Sequence, residues 1–494
     1  MTLRIHRLLG LCILPAMAAT AQTGMPEPSG YSIPTPRPIS PAQGTTTPSA
    51  QAAQRQNPYL GSVPGRSTGT VLQLSLGEAI SRGLHYNLGL VESDHAAADV
   101  HADRLRALAA LLPQLSASAR QVFESVNFLE LGVKLPAIPG LAPFPSSSGG
   151  FGYQDARVSV SQVLFDPQLH NRYQARKQDE TASALSTKDA RDVVVLAVGT
   201  AYFQVIASIA RVQTAQAQQA SAAEFERLTG NRVESEVSPE IESLRAQVER
   251  QSAEQRITNV TNQLAKDKLT FARITGLAID QEFELTDRPT SSSRSPIALE
   301  TATAEAWQQR ADLASAAAAV KAAEATRRAE RAQRLPVLAL NANYGGGGPN
   351  VGNFTQVYEV AGSVSVPLYT GGRIAADIEQ AEADLERRRA EYEDLRGRVA
   401  YDVRVAWLDV NASQSSVAVA DKNRTLAGRA LAESQDRYLN GVTNYLEVVQ
   451  AQAVVAAAEE NYIESLYSWN VATITLARSM GNAETRLPQL VGGK

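Results

Sequence analysis

The chain has 494 residues, a formal net charge of −4 and a single Cys. At roughly 150 residues per domain, the length suggests about three domains. The acidic balance argues against a nucleic-acid surface, because phosphate binding depends on clustered Lys and Arg. One Cys excludes a disulfide scaffold and a thiolate metal cage. No uninterrupted apolar run reaches the ~20 residues of a transmembrane helix, which leaves short half-apolar strands as the route into a bilayer.

Two segments precede the folded part of the chain. Residues 1–21 are predicted to be a cleaved secretory signal, because Arg4 and Arg7 come before an apolar run and the small residues around Ala21 follow it. Cys12 would be lost with this signal. Residues 22–70 hold nine of the 23 prolines among Ser, Thr, Gln and Gly, and are predicted to be a semi-extended, Pro-rich linker.

The remainder reads as one unit written twice. Many residues recur at an offset of 205, among them the pairs Val194 and Val399, Val198 and Val403, Arg232 and Arg437, Ala253 and Ala458, and Gly276 and Gly481. Upstream, Leu112-Pro113 recurs as Leu335-Pro336 at an offset of 223. The first repeat is therefore placed at 71–276 and the second at 300–481, with an inter-repeat linker at 277–299 and a tail at 482–494. A period this long argues against a short solenoid.

Each repeat is predicted to contain a first helix (76–110 and 300–334) and then two strands. Alternation with a period of two marks strands with one apolar and one polar face. The apolar residues predicted to point outward are Val158, Val160, Leu338, Leu340, Val364 and Val366. The run Gly345–Gly348 is interpreted as the turn between two strands. Alternation alone fits a membrane barrel and a hairpin on a soluble core equally well.

Long Pro-free helices are predicted next, over 168–234 and 371–438, and shorter ones over 239–276 and 444–481. A helix of about 65 residues reaches close to 100 Å, so it must pack along other helices. At the turns, Gly441 is a left-handed cap candidate, Thr443 and Ser238 are N-cap candidates, and Glu236 stands where the second repeat has Gly441. Four strands per chain are too few to close a membrane barrel, so several chains would have to close it together.

Chemistry-bearing patterns are absent from the sequence. The His residues after the signal do not pair at ligand spacing, and no nucleophile or phosphate-loop motif is found. No catalytic residue, metal site or cofactor is predicted, and an enzyme has no support.

The sequence resembles the TolC-like outer-membrane efflux proteins, the outer membrane factors of tripartite export systems, over residues 71–481. The resemblance is carried by the duplicated layout, by V-P-L-Y-T-G-G-R (366–373), by R-Y-L-N-G-V-T-N-Y-L-E-V-V-Q-A-Q (437–452) and by A-R-S-M-G (477–481). It implies a mainly α fold with a membrane β-barrel. Four strands per chain would contribute to a 12-stranded trimeric barrel, and the helices would form a long periplasmic α-helical barrel with a coiled-coil tip.

The same resemblance implies a function. The protein would be an outer-membrane channel, spanning into the periplasm, that exports drugs, other small molecules or secreted proteins. It would be a homotrimer surrounded by outer-membrane lipid, and would work with a periplasmic adaptor (membrane fusion) protein and an inner-membrane pump or ABC exporter, without nucleic acid. The alternative is a soluble periplasmic coiled-coil scaffold or adaptor.

Several tip residues are carried over from the family. Tyr438 aligns with its gating aromatic, Gly441 with its turn glycine, and Glu447 with an acidic ring at the periplasmic constriction. Gln450 falls where many members have a second Asp. Thr443 falls where some members have a gating Arg.

The role of Glu447 has two readings. Three such carboxylates on one axis would favour cations. Alternatively, Glu447 only complements the positive N-terminus of its own helix. Glu242 is its counterpart in the first repeat, 205 residues earlier.

Overall fold

A computed structural model describes residues 57–127, 130, 145–287, 297–481 and 483–490. The predicted signal peptide with Cys12, and the part of the predicted linker up to residue 56, lie outside the described residues. Within the described part, two units with the same order of helices and strands follow one another, as the sequence repeat predicts.

In the first repeat the elements are β1 (Leu72–Leu74), α1 (Leu76–Tyr86), α2 (Leu88–Ala109), β2 (Gln114–Asn127), β3 (Ser147–Phe165), α3 (Pro167–Glu234) and α4 (Glu240–Thr275). In the second they are β4 (Phe283–Leu285), α5 (Leu299–Gln309), α6 (Ala311–Ala332), β5 (Val337–Gly348), β6 (Thr355–Ser365), α7 (Arg373–Leu439) and α8 (Tyr445–Ser479), followed by α9 (Ala483–Leu490). Short 3₁₀ helices lie at Pro58–Leu60 and Val351–Asn353.

The predicted first helix of each repeat is in fact two helices. The breaks lie at Asn87 (φ −64°, ψ 129°) and Arg310 (φ −66°, ψ 122°), two extended residues that are 223 positions apart. Asn87 is fully buried, caps α2 through Gly89 N–H and donates to the carbonyl of Tyr59. The Arg310 guanidinium pairs with two aspartates. Neither break contains Pro or Gly, so local sequence signals did not reveal them.

The helix α3 is the axis of the first repeat. Its 68 residues span about 100 Å. It packs against α2 and α6 near the strands, and against α4 and α8 towards the turns. An 18-residue window of α3 has a mean hydropathy of 2.1 and is long and apolar enough to cross a membrane, but 56% of it is buried inside the protein. Val194, Val198 and Tyr202 are fully buried in the largest core cluster, so this part of α3 is a core segment.

The duplication extends to packing and backbone geometry. Val399 and Val403 are as fully buried as their counterparts Val194 and Val198. The helices α4 and α8 end next to glycines of the same left-handed conformation, Gly276 (φ 72°) and Gly481 (φ 77°). The two repeats therefore use equivalent residues for equivalent structural roles.

Segments predicted as linkers and tail join the repeats together. Residues 57–70, predicted as part of the linker, bind the folded body through Val63 N–H to the Tyr86 carbonyl (2.8 Å) and Gly65 N–H to the Gly276 carbonyl (2.9 Å). The segment predicted as the inter-repeat linker contains β4, the first element of the second repeat, which pairs in parallel with β1. In the predicted tail, α9 is held by an ion pair between Arg191 and Glu484 (2.8 Å). These contacts are long-range, so composition alone gave no sign of them.

The four long strands form one antiparallel sheet in the order β2-β3-β5-β6. Residues paired directly across strands lie on the same face of a sheet. Val158 is opposite Tyr344, Val160 is opposite Ala342, and Leu338 is opposite Val364, so the predicted apolar residues share one face. Val366 lies one residue beyond the end of β6. Among the described residues, β2 and β6 each pair on one side only and form the two edges of the sheet.

The interpretation of Gly345–Gly348 as a turn is wrong, because these residues are the last four of β5. A Cβ on Gly345 would lie 2.1 Å from the carbonyl oxygen of Ala156, and one on Gly348 would lie 2.0 Å from that of Asn353. The glycines therefore permit close backbone approach inside the sheet. The actual connection to β6 contains the 3₁₀ helix Val351–Asn353.

Candidate functional site at the helical tip

At the end opposite the sheet, the long helices α3 and α7 finish in two equivalent turns. Gly441 is left-handed (φ 72°), as predicted, and Glu236 adopts the same conformation (φ 56°) at the equivalent position. Val442 N–H donates to the Arg437 carbonyl (2.8 Å), and the same bond forms 205 residues earlier, from Val237 N–H to the Arg232 carbonyl (2.9 Å). Both turns thus close the preceding long helix with a Schellman-type arrangement.

The predicted N-caps of the following helices are displaced by one residue. The side chain of Asn444, rather than Thr443, caps α8 and accepts from the N–H of Glu447 (3.3 Å). Pro239 occupies the cap position of α4, which has no side-chain cap, and α4 begins at Glu240. Ser238 instead accepts a hydrogen bond from Arg232 Nε (3.2 Å). Sequence spacing located the turns but not the caps, because the start of a helix depends on which residue adopts the extended cap conformation and not only on a suitable side chain.

An aromatic cluster sits directly inside these turns. Tyr438, Tyr445 and Phe225 are all buried, with ring centroids 5.4 to 6.4 Å apart, and Ala246 and Val448 complete the cluster. The cluster joins the end of α7, the start of α8, α3 and α4. Burial raises the pKa of Tyr445 to about 12, so this phenol stays neutral in the physiological range.

Polar contacts tie the two turns to each other at the predicted gating aromatic. The Tyr438 hydroxyl donates to Glu242 Oε2 (2.8 Å), which joins α7 to α4. The Arg232 guanidinium lies 5.1 Å from the centroid of the Tyr438 ring and donates to the carbonyl oxygen of Leu439 (3.1 Å). Burial, and then the hydrogen bond to the Glu242 carboxylate, raise the pKa of Tyr438. The structure therefore brings Tyr438 together with Glu242, a residue that the sequence related only to Glu447.

Glu447 occupies the first turn of α8 and is half-buried. Its carboxylate pairs with Arg437 Nη1 (3.3 Å) and accepts a hydrogen bond from the Thr443 hydroxyl. This position agrees with favourable interaction with the helix N-terminus. Gln450, one turn further along α8, is exposed.

Four residues of this site were missed as functional candidates: Phe225, Arg232, Arg437 and Tyr445. The two arginines recur at the repeat offset, which was the available signal. The aromatic pair gave none, because Phe225 reaches Tyr445 only through the packing of α3 against α8.

The architecture is typical of one general class of protein. Paired helices of about 100 Å connect a tip held by polar and aromatic contacts to an open sheet with one exposed apolar face. Such a molecule suits a membrane protein that extends far into an aqueous compartment.

A family profile described as "Outer membrane efflux protein" matches residues 81–277 and 303–482, one segment in each repeat. The protein belongs to the outer membrane efflux protein family. It is an outer-membrane protein that spans into the periplasm, which confirms the predicted resemblance and localisation. The family is one of channels, and the alternative of a soluble periplasmic scaffold is not favoured.

Similar proteins agree with this assignment. The outer membrane protein TolC of Vibrio cholerae is 22% identical over 386 residues, which cover 75% of this chain and 87% of TolC. The outer membrane efflux protein BepC of Brucella suis is 28% identical over 118 residues, 24% of this chain and 26% of BepC. The nickel-cobalt-cadmium resistance protein NccC of Alcaligenes xylosoxydans is 33% identical over 132 residues, 27% of this chain and 29% of NccC.

Solved structures show the shared fold. CusC superposes with a TM-score of 0.72 at 17% identity, covering 85% of this chain and 95% of CusC. The outer membrane protein VceC of Vibrio cholerae gives a TM-score of 0.70 at 17% identity, covering 82% and 96%. The outer-membrane channel OprN gives 0.71 at 16% identity, covering 83% and 90%.

Proposed function

We propose that three copies of this chain form one export duct, with a 12-stranded barrel in the outer membrane and a helical barrel in the periplasm. The observation that carries this proposal is the open four-stranded sheet. Among the described residues its edges, β2 and β6, each pair on one side only, and every backbone group left unpaired in lipid costs several kcal/mol. Pairing β2 of one copy with β6 of the next would satisfy both edges.

The number of copies follows from the lumen that a duct needs. Two chains would supply eight strands, and the interior of an eight-stranded barrel is just wide enough to be filled by side chains. Three chains supply twelve strands, which leave room for a passage. The family resemblance implies the same number.

The two faces of the sheet support opposite environments. Val158, Val160 and Val364 are exposed on the apolar face of the isolated chain. The paired residues on the other face include Ser159 with Asn343, and Asn343 with Glu359. In the proposed barrel the apolar face contacts lipid and the polar face lines the lumen.

The tip is proposed to be the periplasmic gate. Tyr438, Glu242 and Arg232 connect α7 to α3 and α4 within one chain, so separating these helices breaks the contacts. Glu447 and its threefold copies are proposed to line the constriction. Within one chain Arg437 partly neutralises Glu447, so cation preference of the closed tip would be weaker than three free carboxylates would give.

The duct is proposed to receive cargo from an inner-membrane pump or ABC exporter through a periplasmic adaptor. Drugs, other small molecules and secreted proteins are the proposed cargo classes. A channel with no energy source of its own needs such a pump to move cargo against a gradient.

Assembly can be tested by cysteine cross-linking, because the only Cys, Cys12, lies in the predicted signal. Ser116→Cys in β2 is combined in turn with Cys at successive positions of β6, since the register between chains is to be found. Oxidation of membranes should give covalent dimers and trimers. The control pair Ser159→Cys and Asn343→Cys lies in register within one chain and should give no larger species.

Fractionation completes the test. Extraction by detergent from the outer membrane as a heat-labile trimer is expected. Recovery as a soluble periplasmic monomer, or cross-linking that never exceeds the control, would contradict the proposal.

A further inference from the structure

A cavity of about 480 Å³ lies between α3, α4 and α8, next to the aromatic cluster of the tip. Its apolar wall includes Ala222, Ala253, Leu431 and Val449. Leu431 and Val449 also pack against the tip cluster, so the cavity and the cluster share a wall. Small side chains on the facing helices leave this space open.

One buried polar atom in the wall lacks a partner. The Oε1 atom of Gln452 is buried, and no donor within the described part of the chain reaches it. A buried amide oxygen left without a hydrogen bond costs about 1–3 kcal/mol. Because this oxygen has almost no accessible surface, a ligand in the cavity contacts the rest of the Gln452 side chain and not the oxygen itself.

Charge around the cavity is unbalanced. The carboxylates of Glu249 and Glu459 line it, and neither forms an ion pair with another described residue. The guanidinium of Arg256 also lines it and is engaged by Gln218 Oε1 (2.8 Å). Two carboxylates against one guanidinium favour a ligand of positive charge.

We propose that this cavity is a binding site for an amphipathic organic monocation with an apolar body. Its volume falls within the range of roughly 300–1,000 Å³ that holds small molecules. The apolar body contacts Ala253 and Val449, and the charge faces Glu249 and Glu459. The site lies within a single chain and does not depend on the proposed export function.

The test uses the full chain in detergent and two fluorescent probes with the same ring system. 9-Aminoacridine is a cation with N–H donors at neutral pH, and acridine-9-carboxylate is an anion. Protein-free micelles give the background. Saturable binding of one 9-aminoacridine per chain is expected, with binding of the anion at least tenfold weaker.

Variants then locate the site. The pair Glu249→Gln with Glu459→Gln should weaken binding of 9-aminoacridine about tenfold. Ala217→Trp fills the exposed mouth of the cavity and should abolish binding. The control Glu254→Gln removes a carboxylate of α4 that pairs with Arg250 outside the cavity, and should leave affinity unchanged.

Three results would overturn the proposal. The first is equal binding of the two acridines. The second is binding that does not exceed the micelle background. The third is full affinity in both the Glu249→Gln with Glu459→Gln variant and Ala217→Trp, which would place the probe elsewhere, for instance between chains.

Discussion

The contact between Tyr438 and Glu242 offers the sharpest test of the proposed gate. Tyr438→Phe removes only the hydroxyl and keeps the buried ring in the aromatic cluster. Hydrogen bonds to charged groups contribute roughly 1.5–3 kcal/mol. Because Glu242 is half-buried and water can replace the lost donor, the lower value of about 1.5 kcal/mol applies.

Three equivalent contacts would act together in the proposed trimer. If opening breaks all three contacts, Tyr438→Phe shifts the equilibrium towards the open state by about 4.5 kcal/mol, or roughly a thousandfold. If the subunits open one at a time, the equilibrium of each subunit would shift towards the open state about tenfold. Single-channel recording in planar bilayers measures this as the open probability.

A double-mutant cycle isolates the bond itself. Glu242→Gln and the combination with Tyr438→Phe should show a coupling free energy of at least about 0.5 kcal/mol per chain. Tyr401→Phe, at an exposed position on the same helix, is the matched control and should behave like the wild type. An open probability unchanged in Tyr438→Phe, or zero coupling with Glu242→Gln, would refute the proposed role of this contact in keeping the gate closed.

Four further predictions concern folding and stability. Glu236→Gly relieves a left-handed non-Gly residue and should raise the free energy of unfolding by about 1 kcal/mol in chemical denaturation; a decrease would contradict the reasoning. Arg310→Met leaves the partly exposed carboxylates of Asp312 and Asp402 without their guanidinium and should lower the free energy of unfolding by about 3 kcal/mol in chemical denaturation. Burial alone would raise the pKa of Asp312, but the Arg310 guanidinium holds it below its ordinary value. The resulting stabilisation is complete above the unfolded pKa of about 4 and is lost as the pH falls through the lowered folded value. The difference in Tm between the wild type and Asp312→Asn should therefore be constant from about pH 8 to pH 5 and shrink below about pH 4; a loss already complete at pH 5 would contradict it. Gly345→Val places a Cβ against a strand carbonyl and should lower the yield of folded protein more than tenfold, whereas Gly397→Ala on an open helix surface should be neutral or stabilising; equal yields would argue against the close packing of β3 on β5.

Local features of the fold were accessible from the sequence. The absence of Pro predicted the bounds of α3 and α7 to within two residues of those observed. A helix of that length needs only an uninterrupted run of helix-forming residues and neighbouring helices to pack against. Alternation with a period of two placed Val158 and Val364 on one face, because successive strand residues point to opposite sides. Gly441 was recognised as left-handed because an L side chain disfavours that conformation.

Part of the candidate site was accessible through the family resemblance, and Glu242 was accessible through the repeat. Tyr438, Glu242 and Glu447 were named from the sequence, and the structure places all three at the tip. Their partners were not named. Arg232 and Phe225 lie far from Tyr438 along the chain, and their contacts depend on how α3 packs against α7 and α8.

The sequence by itself determined the duplication, the long helices, the alternating strands and the positions of the turns, because each depends on neighbouring residues or on a fixed period. Only the tertiary structure decided where the first helices break. Asn87 and Arg310 are unremarkable in sequence, and their extended backbone is stabilised by distant partners, Tyr59 and Asp402. It also decided that the Gly345–Gly348 run is strand, because the close approach of β3 and of the β5–β6 connection, which glycine permits, is a property of packing.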